Sequence, residues 1–310
     1  MNPARGAADA AAARIRLRLT ATVMSLCSWT AAAWAHEPLW GETPTIFGPH
    51  VWHPEIRFAT LRRGDTGDPG GESFREFNQV YGLQYGINRH VNLKLTLPAV
   101  RTDIEQNIAG STQETRVSGI GDALLAAKYR FRLRQETGFQ TSQALVAAWK
   151  VPTGADDREG PDGMRLMPAD QPGSGKHGVV LGYAADVERL VDSAWTSLFY
   201  SHDFGDGFRR GDMLELDAAY GRWVVRPNVA DDLGINLAFG IHAEAMADDR
   251  LEDDSRAGNE YRVAGIQVTP IVSKGRAQYR LGVFVPLIRW GDELETDFDY
   301  EVRAGWEMFF

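Results

Sequence analysis

The residues whose types and spacing could do chemistry form three groups. The first is a set of charges of both signs at alternate positions within apolar stretches: Arg57, Lys94, Asp122, Lys128, Arg130, Lys150, Glu215, Asp217, Glu301 and Arg303. Successive strand side chains point to opposite faces, so such spacing gathers charge on one face and leaves the other apolar. Inside a closed sheet these charges would either select solutes passing through or neutralise one another and fill the interior. The second group is His36, His50 and His53, with Glu37, Glu42 and Glu55 nearby. Imidazole and carboxylate suit a metal such as copper, and a free N-terminal His36 would add its amine. The spacing matches no defined metal motif, and incidental histidines on a terminal tail are the simpler reading. The third group is acidic: Asp248, Asp249, Glu252, Asp253 and Asp254 in one stretch, Asp156, Asp157, Glu159 and Asp162 in another. Hard cations prefer such oxygens, but calcium-loop spacing is absent, which favours solvated loops.

Catalytic signals are missing. There is no nucleophile elbow and no paired-histidine zinc motif. Ser201, His202 and Asp203 are adjacent in sequence, which says nothing about a triad. The expectation is a protein that is not an enzyme and needs no cofactor. The formal charge of −9 argues against nucleic acid, whose phosphates require clustered Lys and Arg.

The N-terminus reads as a leader. Arg14, Arg16 and Arg18 precede a mostly apolar run from Leu19 to Ala33 that is short for a membrane span. Ala33-Trp34-Ala35 then offers the small-x-small pattern of signal-peptidase cleavage, predicted after Ala35. The single cysteine, Cys27, falls within this leader; Met24 stands where a lipoprotein signal would have Leu. The mature chain would therefore carry no disulfide, thiolate ligand or cysteine nucleophile.

The charged groups need elements to position them, and the mature sequence supplies alternating strands. Val91, Leu93, Leu95, Leu97 and Ala99 alternate with Asn92, Lys94, Thr96 and Pro98. Ala123 to Leu133 places its apolar row against Asp122, Lys128, Arg130 and Arg132; Leu233 to Ile241 alternates against Asn236 and His242. Tyr300, Val302, Ala304, Trp306, Met308 and Phe310 oppose Glu301, Arg303 and Glu307. About twelve segments of the ~10-residue length of a tilted membrane strand can be drawn. They fall near 51–62, 74–87, 90–103, 116–133, 139–152, 177–189, 193–204, 211–224, 232–247, 259–270, 276–289 and 297–310. The segments at 193–204 and 259–270 alternate poorly. Connections alternate between long and short, with 225–231 longer than its class, as in barrels with short periplasmic turns and long outer loops. Aromatics recur near strand ends (Tyr129, Phe131, Trp149, Trp223, Trp290, Trp306), as in interfacial girdles.

The fold expected is all-β: a transmembrane antiparallel up-and-down β-barrel of about twelve strands in the outer membrane. The division is 1–35 signal peptide, 36–50 periplasmic segment and 51–310 barrel. Phe310, closing an aromatic strand, is the candidate assembly signal. A soluble periplasmic β-sandwich that binds a ligand is the alternative; its strands would be shorter.

The run Ser118-Gly119-Ile120-Gly121-Asp122, continuing to Lys128-Tyr129-Arg130-Phe131, resembles the signature of an outer-membrane barrel family labelled as transporters, the phenol-degradation meta-pathway family. Lys150-Val151-Pro152-Thr153-Gly154 before a long loop is similar to that family's next hairpin. The resemblance implies an outer-membrane barrel and passage of a small hydrophobic or aromatic solute, with no set of cargo residues to carry over. The partners expected are outer-membrane lipid and lipopolysaccharide, the barrel assembly machinery and a small-molecule solute. The rival reading is a closed barrel that anchors, or that binds metal through His36, His50 and His53.

Overall fold

The computed structural model describes residues 38–64, 72–108, 111–159, 165–166, 171–205, 209–227, 232–250, 260–291 and 298–310. The leader and His36 lie outside the described residues. Every regular element described is a strand. In chain order they are β1 (Trp52–Gly64), β2 (Glu72–Asn88), β3 (Val91–Ile108), β4 (Ser111–Ile120), β5 (Ala123–Glu136), β6 (Phe139–Val151), β7 (Gly178–Arg189), β8 (Asp192–Asp203), β9 (Met213–Val225), β10 (Leu233–Met246), β11 (Tyr261–Lys274), β12 (Ala277–Gly291) and β13 (Glu301–Met308).

The strands form twelve antiparallel staves closed into a barrel, because β4 and β5 are two halves of one stave. β3 pairs with β5 over Val91–Thr96 and with β4 over Ala99–Ile108, and the break falls at Gly121-Asp122. Closure joins β1 to β13, with Glu55 opposite Glu307 and Leu61 opposite Glu301. The Phe310 amide donates to the Trp52 carbonyl at 3.1 Å, which carries the closing seam to the last residue. A closed ring leaves no unpaired sheet edge to face lipid. Two-residue turns join β2 to β3, β5 to β6, β7 to β8 and β11 to β12. One expected loop, 104–115, is mostly strand, since β3 runs to Ile108 and β4 starts at Ser111. Polar residues suit this stretch because a strand that rises above the membrane is not required to be apolar outside.

The barrel inverts a soluble protein. Leu93, Leu95, Leu97, Leu125, Leu181, Leu198, Leu216, Phe239, Ile241, Tyr279 and Leu281 are exposed on the outer face. Gln84, Asn92, Asp217, Asn236, Gln278 and Glu307 are fully buried inside. An apolar belt of this extent far exceeds the few hundred Å² a soluble monomer leaves uncovered, and lipid is its solvent. A soluble sandwich is thereby ruled out. Tyr129, Phe131, Trp149 and Trp290 are among the exposed aromatics.

The segment ahead of β1 departs from the expected arrangement, a periplasmic stretch over 36–50. Its residues 38–47 run inside the barrel, and only Pro49 and His50 are exposed. Leu39 and Trp40 are buried in a cluster with Met246, Tyr261, Val263, Phe284 and Phe298. The reason is the inner face of β10 to β12, which is apolar at these positions and would otherwise face water.

Candidate functional site

The site is the lumen, and the segment before β1 forms part of its wall. Glu42 sits between two lysines that neighbouring staves hold inward, Lys94 at 2.9 Å and Lys128 at 3.2 Å. Lys128 also donates to the Thr43 carbonyl at 2.8 Å, and the Glu42 amide donates to Ser197 Oγ at 3.2 Å. Burial alone would raise the Glu42 carboxyl, but Lys128 and Lys94 overcome it and hold it at about 2. Arg303 stacks over the Trp40 ring at 4.9 Å, donates to the Leu39 carbonyl at 3.3 Å and grips Glu301 through two bonds of 2.7 and 3.1 Å. The segment is thus tied to β3, β5, β8 and β13, on different sides of the ring.

Beside it lies a cavity of about 310 Å³. One side is polar: Glu42, Arg57, Lys94, Glu215 and Arg303. The other is apolar and is built from inward-facing Leu124, Ala126, Val146, Ala148, Val180 and Phe199. Gly182 makes this possible on β7, because a Cβ there would fall 2.1 Å from the Phe199 ring. Inner faces of water-filled barrels are polar, so an apolar half-wall is a departure with a chemical meaning.

The two stretches that carry the family resemblance meet in space. Asp122 accepts bonds from the Gly154 amide at 3.0 Å and from the Ser174 amide and hydroxyl at 2.7 Å each. Thr153 Oγ1 donates to the Gly121 carbonyl at 3.1 Å and accepts from the Ala123 amide at 2.8 Å. Glycine is required here. A Cβ on Gly121 would fall 2.6 Å from the Pro172 carbonyl, and one on Gly154 would fall 2.7 Å from Gly173 Cα. Among the described residues no strand pairs with the edge of β4 that faces away from β3. Pro172 packs over the inner face of β4, 3.1 Å from where a Gly119 Cβ would stand.

The remaining sequence-predicted residues are placed as follows. Arg57 lines the cavity and lies 3.5 Å from Glu55. Arg130 donates to the Arg89 carbonyl at 2.7 Å, at the turn between β2 and β3. Lys150 pairs with Asp203 at 2.5 Å. Glu215 and Asp217 lie together beside His242. Asp122 holds a loop instead of standing in the lumen row. His50 and His53 are not brought together. His50 bonds the Tyr85 hydroxyl at 2.8 Å on the exposed side, whereas His53 is fully buried, 3.3 Å from Glu307 and packed between Phe47 and Phe309. Ser201 lines the cavity while His202, its strand neighbour, turns outward to Asp212 at 2.6 Å, so they do not build a triad. Sequence reasoning missed the apolar half-wall. A signal was present: Ala123 to Ala127 and Ala144 to Trp149 carry apolar residues in both rows.

A closed antiparallel ring with an apolar belt and a largely polar interior defines an outer-membrane β-barrel. The chain belongs to the family described as "Putative MetA-pathway of phenol degradation", which matches residues 70–269. Among solved structures it is similar to the COG4313 outer membrane channel from Pseudomonas putida F1, at 12% identity and a TM-score of 0.64, over 85% of this chain and 97% of that one. The NanC porin aligns at 6% identity and a TM-score of 0.42, over 82% and 98%. The CymD monoaromatic hydrocarbon channel aligns at 7% identity and 0.36, over 85% and 89%. No curated protein matches the chain.

Proposed function

We propose that this barrel is a channel that passes a small hydrophobic or aromatic solute across the outer membrane. The observation that carries the reading is the apolar half-wall inside the lumen. Leu124, Val146, Val180 and Phe199 face a cavity of about 310 Å³, at the lower end of the size of small-molecule sites. A hydrated ion gains little from such a surface, whereas an aromatic ring is desolvated by it. The family and the fold shared with an outer membrane channel support the same reading. Uptake of a labelled monoaromatic hydrocarbon by intact cells, with and without the protein, tests it. Expression should speed uptake, and Ala148→Trp, which fills the cavity, should slow it severalfold while heat-modifiable gel mobility stays normal. Uptake equal to that of cells lacking the protein would refute the reading.

A further inference from the structure

We propose that Glu215, Asp217 and His242 form a binding site for a divalent cation of borderline hardness, with Zn²⁺ as its representative, in the lumen wall. The register brings the three together. Glu215 and Asp217 are two apart on β9 and share its inner face, and His242 of β10 lies directly opposite Asp217. One ligand atom from each lies within 4.8 Å of the others. Metal–ligand bonds of about 2.0–2.2 Å set such atoms roughly 3–4 Å apart, so closure needs only a small side-chain adjustment. Two carboxylates and an imidazole suit a mixed oxygen and nitrogen coordination sphere.

Three carboxylates crowd this corner of the lumen wall. Glu244, opposite Glu215, adds a third carboxylate 3.9 Å from His242 Nε2. The neighbouring guanidinium, Arg303, acts on Glu215 and Asp217 through its charge but makes its hydrogen bonds to Glu301 and the Leu39 carbonyl. Glu244 itself accepts the Tyr261 hydroxyl.

A second observation points to a ligand. Asp217 is fully buried, and its Oδ1 accepts from His242 at 2.9 Å and from Gln267 at 3.5 Å, but its Oδ2 accepts from no N–H group, and the neighbouring acid is the Glu215 carboxyl. A buried acceptor-only oxygen without a donor is costly, and a cation is one partner that removes the cost. Access exists, because Glu215 forms part of the cavity wall. The segment before β1 covers the other side. Gly41, at φ 73°, packs so closely that a Cβ would fall 2.9 Å from this same Oδ2. A second trio, His53, Glu55 and Glu307, has similar geometry and unpartnered atoms of its own, but two basic side chains already contact its carboxylates. Arg280 lies 3.0 Å from Glu307, and Lys94 lies 2.9 Å from Glu55.

The test uses the mature, untagged protein in detergent, stripped with chelator and titrated with Zn²⁺ by calorimetry, with bound metal measured after desalting. One Zn²⁺ per chain is expected. His242→Gln and, separately, Glu215→Gln should weaken binding by about a hundredfold or more, since even outer-shell changes cost 10–100-fold. His50→Gln and His53→Gln should bind as wild type does. Co²⁺ should give visible absorption that disappears in His242→Gln. Heat-modifiable mobility confirms that each variant is folded, and Glu215→Gln carries the test if His242→Gln is not. Absence of binding to the wild type, binding unchanged in the site variants, or loss that follows His50 or His53 instead would overturn the assignment.

Discussion

Replacing Trp40 by Ala should release the segment that lies in the lumen. Trp40 is fully buried, faces Phe284 with ring centroids 6.5 Å apart, carries Arg303 over its ring and lies against Gly282, where a Cβ would fall 2.3 Å from the indole. Truncating a buried Trp to Ala costs about 3–5 kcal/mol. The barrel strands keep their ladders, so the cost falls on the equilibrium between seated and displaced segment. At a factor of ten per 1.4 kcal/mol the displaced population should rise roughly 10²–10⁴-fold. Glu42 still holds Lys94 and Lys128, so release begins at residues 38–41. Two measurements read it: the rate at which an external protease cuts ahead of β1, and single-channel conductance in a planar bilayer. Both should rise while the folded band on a heat-modifiable gel persists. A folded variant with unchanged cleavage and unchanged conductance would show that the cluster around Trp40 does not seat the segment, and the reasoning would fail.

Three further outcomes are expected. Leu95→Arg puts a charge on the lipid face near mid-strand and should cost about 2–4 kcal/mol of barrel stability in a urea unfolding titration. Thr96→Arg, one residue on and lining the cavity, should cost far less; equal losses would mean the register is wrong. Removing Phe309 and Phe310 deletes the Phe310–Trp52 bond and the ring that packs on His53. Membrane fractionation should then show less inserted protein and more degradation, and normal insertion would count against a role for this terminus. The Glu42 carboxyl is depressed from 4.5 to about 2, so its hold on the segment should be fully present above pH 4.5 and fade as pH falls towards 2. Protease protection of the segment across that range checks the sign; protection that instead weakened with rising pH would contradict it.

Much of the architecture was legible because strand alternation is a local property with a period of two. Leu93, Leu95 and Leu97 against Asn92, Lys94 and Thr96 fixes which face meets lipid wherever the strand ends up. The same rule placed Glu301 and Arg303 inside, opposite Val302 and Ala304. The two segments that alternated poorly are the instructive ones. In β8, Phe199 points inward to the cavity; in β11, Tyr261 and Val263 point inward to Trp40. The pattern weakens there because the lumen itself is apolar at those places.

The sequence by itself determined most of the staves and the chemistry of their two faces, for these follow from neighbours one and two residues apart. Only the tertiary structure decided what fills the barrel and which charges meet. Glu42 reaches Lys94 across 52 positions, and the Leu39 carbonyl reaches Arg303 across 264. It also decided that Asp122 would hold Gly154 and Ser174 instead of lining the lumen. No periodicity encodes such pairs, because closing the ring, not the local pattern, sets which inward side chains face each other across the lumen.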